Sequence, residues 1–220
     1  MSRIVPSPTD IGRTFDEGAE GYDARHAASQ GSLARFRIVE APLRAIARGG
    51  GHVLDLGCGT GRVLEDRAAG AIGLDASRGL LAQAARRGIR AVLADAHAMP
   101  FADARFDAVV AGGAVFAHLD YARALRECAR VLCRGGRLAF NTFAADPWSP
   151  WTVLGRRPPP DSRFLGSFDE IRVPARAAGF VEESLRLWRG IRFAPWVIPI
   201  PERFAWRLWN HATFVLRKTG

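Results

Sequence analysis

The sequence is nearly without lysine. Lys218 is the only one, so the formal net charge of +9 rests almost wholly on arginine. No run of five or six consecutive basic residues occurs. The charge therefore reads as scattered, solvated arginines rather than a face built for nucleic acid, a membrane surface or an acidic substrate. Cysteine is scarce as well: Cys58, Cys128 and Cys133 form no Cys-x-x-Cys and no Cys/His ligand pattern. That excludes a disulfide framework and a structural zinc site, and it fits a reducing compartment. No apolar run reaches the length of a membrane span. Residues Met1 to Asp10 carry prolines and polar groups but no hydrophobic signal core, so the expected location is the cytoplasm. With 220 residues, 48% of them hydrophobic, the chain is long enough for one domain with a full core.

What is there is organised around one stretch, Val53-Leu54-Asp55-Leu56-Gly57-Cys58-Gly59-Thr60-Gly61. Its first four residues read as a buried parallel strand, and its three alternate glycines as a tight turn leading into a helix. Glycine suits a turn that needs positive φ and a ligand that must approach bare backbone. The spacing is Gly-x-Gly-x-Gly, not the Gly-x-Gly-x-x-Gly of the dinucleotide fingerprint. Asp55 stands two residues before the first glycine. A carboxylate there suits a ligand carrying an ammonium and a sulfonium better than one carrying a pyrophosphate.

Strands and helices then alternate. Ser32–Arg48 has apolar residues at helical steps, with Pro42 expected to kink or split it. A short helix is expected over Arg62–Ala68. Strands are expected over Ala71–Leu74, Ile89–Ala94, Phe106–Ala111 and Arg137–Phe143. Ser77 can cap a helix running to Arg87 and stopped by Gly88, and Asp120 can cap the next. This order argues for a parallel sheet covered on both faces, with ligands beyond the carboxyl ends of the strands. Asp55, Asp75 and Asp95 fall at or near those ends, each twenty residues from the last. Toward the N-terminus, Phe15 and Tyr22 are seven apart, the spacing of one helix face.

The last third differs. All six tryptophans lie after residue 147, together with two proline clusters. Residues 144–166 read as an irregular insertion. Ser167–Ala178 reads as a helix broken at Pro174, Val181–Trp188 as a strand, Glu202–Trp209 as a short helix and His211–Arg217 as a terminal strand.

The chain resembles the class I S-adenosylmethionine-dependent methyltransferases, in particular the small-molecule group that includes the ubiquinone/menaquinone C-methyltransferase-like enzymes. The resemblance runs from about Phe15 to Phe180. It is carried by VLDLGCGTG at 53–61, GLDAS at 73–77, ADAHAMPFADARFDAVVAG at 94–112 and LRECARVLCRGGRLAF at 125–140. It implies an α/β, Rossmann-like, doubly wound seven-stranded sheet, mostly parallel with the last strand antiparallel. A cap segment (1–30) would precede a cofactor-binding domain (31–220), which would include a C-terminal accessory region and the insertion 144–166 as a substrate lid. The resemblance also implies roles. Asp55, Gly57, Cys58 and Gly59 would hold the methionine part of S-adenosylmethionine, and Ala111 would border it. Asp75 would accept from both ribose hydroxyls, and Ala76 would line the adenine slot. Asp95 would take the adenine amino group with the backbone of Ala96 at the ring, and Tyr22 would close over the cofactor. The stretch between Gly61 and Gly73 is short for the family.

Methyl transfer from a sulfonium is an in-line displacement with a good neutral leaving group, so the protein must align donor and acceptor and exclude water. A base is needed only where the acceptor loses a proton. His118, past the fourth strand, is the candidate; its other reading is a polar residue lining the loop before Asp120. His26 reads as a surface residue, His97 as part of its loop, and His52 and His211 as structural. No Asn-Pro-Pro-aromatic motif follows the fourth strand, which argues against methylation of nucleic-acid base amines. No acidic cluster ends that strand, which argues against a magnesium-assisted mechanism. No metal is expected, and no cysteine is placed as a nucleophile. Trp148 and Trp151, in the insertion, are the residues expected to approach substrate.

The expected function is methylation of a small-molecule acceptor, with O-, N- and C-methylation all open. The alternatives are an RNA (tRNA) methyltransferase, motivated by the arginine excess, and a non-catalytic cofactor-binding partner protein. Nothing in the sequence sets an oligomeric state.

Overall fold

The computed structural model describes residues 8–28, 32–65, 70–143, 167–190, 197–200 and 211–220. Three helices come first: α1 (Pro8–Glu17), α2 (Tyr22–Ala28) and α3 (Ser32–Arg48). The parallel half of the sheet follows as β1 (Val53–Leu56), β2 (Ala71–Asp75), β3 (Ala91–Leu93) and β4 (Phe106–Ala111). Between them lie a 3₁₀ turn at Arg62–Leu64 and helix α4 (Arg78–Arg86). A second 3₁₀ turn (Val115–His118) and α5 (Tyr121–Val131) lead to β5 (Leu132–Phe143). The remaining elements are α6 (Asp169–Ala177), β6 (Phe180–Gly190), β7 (Val197–Ile200) and β8 (His211–Lys218).

The strands form one sheet in the order β3-β2-β1-β4-β5-β8-β6-β7. β3, β2, β1, β4 and β5 are mutually parallel, and β8 runs antiparallel to both β5 and β6. The seven-stranded, mostly parallel sheet is therefore present, and β7 adds an eighth strand at the edge. The chain order reverses between β1 and β4, which opens a crevice over their carboxyl ends.

The core lies on both faces. On one, Leu43 and Ala47 of α3 pack on Val53, Val110 and Ala139. On the other, Leu125 and Cys128 of α5 and Ile171 of α6 pack on Leu54, Phe140 and Phe214. Phe116, Phe140 and Phe214 stack at centroid distances of 3.9 and 5.2 Å. Each such ring, fully buried, contributes about 1.5–3 kcal/mol from lost water contact.

The caps follow the local chemistry. Ser77 Oγ accepts from Leu80 N–H at 3.1 Å, and Asp120 Oδ1 accepts from Arg123 N–H at 2.9 Å. Several expectations need correction. α3 runs unbroken through Pro42, and α6 through Pro174. Each proline removes one backbone donor, and the buried faces hold the helices together around the loss (Val39, Leu43 and Ala47 in α3, Ile171 and Ala175 in α6). The helix expected over Arg62–Ala68 is a 3₁₀ turn at Arg62–Leu64; residues 66–69 lie outside the described residues. Phe15 and Tyr22 do not share a helix face but sit on α1 and α2, their rings meeting edge-on at 6.4 Å. The expected helix at Glu202–Trp209, the insertion 144–166 and Trp148 and Trp151 within it also lie outside the described residues.

Candidate functional site

A cleft of about 920 Å³, mouth included, opens over the carboxyl ends of β1 to β4. The glycine turn after β1 forms its inner wall. Gly57 has φ +67°, and a Cβ there would stand 2.4 Å from Val115 Cγ2, so only glycine fits. The amides of Gly57 and Cys58 both donate to the Leu74 carbonyl, at 2.7 and 3.0 Å, which locks the turn onto β2.

Three carboxylates mark the three strand ends. Asp55 is fully buried, and neither of its carboxylate oxygens has a hydrogen-bond partner among the described residues. Burial holds its carboxyl well above the ordinary range, and nearby Glu40 and Asp75 push it further. Asp75 accepts from Gly59 N–H with one oxygen and from Ser77 N–H with the other, each at 2.8 Å. Burial raises its carboxyl too, against those bonds. Asp95 Oδ1 accepts from the backbone N–H of His97 at 2.8 Å and faces His97 Nδ1 at 2.9 Å. The Asp120 amide donates to His97 Nε2 at 3.0 Å, which puts the ring proton on Nδ1, toward Asp95. His97 is thus more than a loop residue: buried in the cleft wall, it orients Asp95.

The outer wall comes from the N-terminal helices. Asp16 Oδ1, near the end of α1, accepts from Ser77 Oγ at 2.6 Å and from Gly79 N–H at 2.8 Å, both at the start of α4. Asp23 on α2 accepts from Thr60 Oγ1 at 3.0 Å and pairs with Arg87. Ile11, Phe15 and Tyr22 are thereby held against the cleft. Phe15 meets the His118 ring edge-on at 5.6 Å. From α3, Glu40 reaches the cleft and accepts from Gly113 N–H at 3.1 Å.

Of the residues singled out in the sequence, Tyr22, Gly57, Cys58, Gly59, Asp75, Ala76, Asp95, Ala96 and His118 all line this one cleft. Asp55 and Ala111 lie beneath it, both fully buried. Past Ala111, Gly112 and Gly113 form the wall. The Cys58 thiol is raised by burial and by the Asp55 and Asp75 carboxylates, so it is no thiolate nucleophile. No group of three or more His, Cys, Asp or Glu suited to hold a metal occurs among the described residues. Sequence reasoning gave no role to Asp16, Asp23, Glu40 or Arg62. An acid-rich floor with one orphaned, fully buried carboxylate fits a cationic ligand, and S-adenosylmethionine is one.

Comparison with known proteins agrees. A family described as "Methyltransferase domain" matches residues 54–140. The demethylmenaquinone methyltransferase of Beutenbergia cavernae is 33% identical over 199 residues, covering 85% of this chain and 80% of its own. That of Thermobifida fusca is 34% identical over 234 residues, covering 94% and 92%. A S-adenosylmethionine-dependent methyltransferase from Thermotoga maritima has the same fold, with a TM-score of 0.70 at 19% identity over 95% of this chain and 100% of its own. The chain belongs to the class I S-adenosylmethionine-dependent methyltransferases: it is an enzyme, and S-adenosylmethionine is its methyl donor.

Proposed function

We propose that the enzyme methylates a small, flat, apolar acceptor of the demethylmenaquinone kind in its reduced, hydroxyl-bearing form. The observation that carries this is the apolar part of the cleft wall. Ile11, Phe15, Val115 and Leu119 form it, and His118 stands among them edge-on to Phe15. An apolar slot with one imidazole suits an aromatic ring that must lose a hydroxyl proton. The demethylmenaquinone methyltransferases that it resembles over most of their length support the same acceptor class.

The roles divide along the strand ends. Asp55 and the turn Gly57, Cys58 and Gly59 hold the methionine part, with Ala111 packed beneath. Asp75 takes the ribose hydroxyls on the lone pairs its two backbone bonds leave free, and Ala76 lines the adenine slot. Asp95, oriented by His97, takes the adenine amino group beside the Ala96 backbone. When bound, S-adenosylmethionine supplies a methyl group on a sulfonium whose departure leaves a neutral thioether. Phe15 and Tyr22 cover the site and exclude water. His118 takes the acceptor's hydroxyl proton.

The test is turnover of reduced demethylmenaquinone with S-adenosylmethionine, read by mass spectrometry, with tRNA as the competing substrate. A singly methylated quinol is expected. Methylated tRNA with an untouched quinol would overturn the reading. His118→Ala should lower turnover about a hundredfold, as loss of a general base does, with S-adenosylhomocysteine affinity unchanged by calorimetry. Full activity in this variant removes His118 from the mechanism.

A further inference from the structure

The cleft's long axis follows the strand order. Asp95 and Ala96 come just after β3, Asp75 and Ala76 lie at the end of β2, and Gly57 follows β1. Gly112 and Gly113 follow β4, the next strand in the sheet. With adenine at Asp95 and ribose at Asp75, the methionine tail falls between β1 and β4. That tail is a zwitterion, with an α-ammonium and an α-carboxylate. Something in the wall must answer both charges or leave them desolvated at a cost.

Two charged side chains line that end of the cleft, and neither belongs to the motifs that carry the family resemblance. Glu40 comes from α3, Arg62 from the 3₁₀ turn after the glycine loop. Glu40 is only 2% exposed. Its Oε1 accepts from Gly113 N–H at 3.1 Å, and the Arg44 guanidinium stands 3.8 Å from Oε2. Gly112 leaves it room: a Cβ there would come within 3.0 Å of Oε1. Beneath lies Asp55, fully buried, its two oxygens without hydrogen-bond partners among the described residues. Burial raises the Glu40 carboxyl, and among the charges acting on it Arg62 is the strongest. Glu40 is in turn the strongest charge acting on Asp55. Two buried carboxyl groups thus share one end of the cleft. Such a pair becomes favourable when a cation enters beside it.

We propose that Glu40 reads the cofactor, its carboxylate receiving the α-ammonium of the methionine tail while Arg62 beside it receives the α-carboxylate. The proposal rests on the orientation of the cofactor given above. It also gives α3 a function: the ligand ties this helix to the loops after β1 and β4. The distinction from a purely structural role is sharp. A residue that only braces the Gly113 loop affects every ligand of the cleft alike, whereas a residue that reads the ammonium affects only ligands that carry one.

The experiment is calorimetric titration of the full chain with four ligands: S-adenosylhomocysteine, its deaminated analogue, its decarboxylated analogue, and 5′-methylthioadenosine, which lacks the tail. Glu40→Gln keeps the shape and an oxygen acceptor for Gly113 N–H. It should bind S-adenosylhomocysteine about tenfold more weakly, the worth of one charge-assisted contact. It should bind 5′-methylthioadenosine unchanged, and no longer prefer S-adenosylhomocysteine over the deaminated analogue. Arg62→Gln should lose the preference over the decarboxylated analogue instead. An equal loss for S-adenosylhomocysteine and 5′-methylthioadenosine, or no loss for either, overturns the proposal. If the wild-type chain itself binds these two equally, the orientation is wrong; if it prefers the first and Glu40→Gln keeps that preference, only the Glu40 assignment is wrong. Should Glu40→Gln not fold, Glu40→Asp retains the charge with a shorter reach and must still discriminate against the deaminated analogue.

Discussion

The floor and the cover of the cleft are built by different rules. The floor is local. Asp75 bonds the amide two residues on, and so does Asp95; the longer steps span only 16 residues, from Gly59 N–H to Asp75, and 23, from Asp120 N–H to His97. The cover is not local. Asp16 meets Ser77 and Gly79 across 61 and 63 residues, Asp23 meets Thr60 across 37 and Arg87 across 64, and Glu40 meets Gly113 across 73. The floor exists as soon as the parallel strands pair. The cover exists only when helices from one end of the chain have docked on loops far along it. Polar contacts at exposed groups hold much of it, and such regions open at a lower free energy than a sheet core. A site that must admit a cofactor and release its product uses both kinds of wall.

The difference predicts unequal losses. Asp75→Ala strands two backbone donors, Gly59 N–H and Ser77 N–H, in a half-buried site. Each such group costs about 1–3 kcal/mol of stability. The variant also loses the proposed acceptor of both ribose hydroxyls, hydrogen bonds to a charged group worth about 1.5–3 kcal/mol each, so S-adenosylhomocysteine affinity should fall about a hundredfold by calorimetry. Unchanged affinity would mean that the strand ends are not the binding wall. Asp16→Ala attacks the cover instead. It removes the acceptor for Ser77 Oγ and Gly79 N–H at the start of α4. The loss should resemble that of a helix cap, about 1 kcal/mol, with faster hydrogen exchange in α1 and an intact sheet. A loss as large as that of Asp75→Ala would erase the contrast.

The pH dependence of the cover has a definite sign. The Ser77 hydroxyl, and then Gly79 N–H, hold the Asp16 carboxyl below its ordinary value of 3.8. A carboxyl depressed in the folded state stabilises it fully above the unfolded value, and the contribution fades as pH falls through the folded one. Protection of α1 against exchange, corrected for intrinsic rates, should therefore hold from neutral pH down to about 5 and fail below 3.8. Earlier failure would point to a different group as the fastening.

The same contrast governs what could be read in the sequence. The floor was legible because residue type, strand and turn lie side by side: three aspartates twenty apart, each at or near a strand end, need only the β-α-β repeat to meet. The caps Ser77 and Asp120 were legible for the same reason. Asp16, Asp23 and Glu40 were not, because an acid on a helix looks like surface until its partner arrives from elsewhere. Phe15 and Tyr22 meet across two helices rather than on one face, since the chain turns between Glu17 and Tyr22. Pro42 and Pro174 misled because local propensity yields to the faces they bury. β7 escaped notice for the opposite reason. Its Val197–Ile200 run contains Pro199 paired with Trp188, which a sheet accepts only at an edge, where one side of the strand needs no donor.

The smallest expected effect lies outside both walls and tests whether they are a separable unit. Glu183 on β6 accepts from Arg137 of β5 at 2.8 Å and pairs with Arg217 of β8 at 3.0 Å. The arginines are half exposed, so water and salt screen the attraction, and the two pairs, which share one carboxylate, are together worth about 0–1 kcal/mol. Glu183→Ala should lower the melting temperature by roughly 2–4 °C at most for a chain of this size, and less in high salt. Glu183, Arg137 and Arg217 line no part of the cleft, so S-adenosylhomocysteine affinity should not move. If instead it falls about tenfold, the antiparallel half transmits strain into the loop after β4, where Asn141 of β5 accepts from Ala114 N–H at 2.7 Å. The binding wall would then have to include the sheet as a whole.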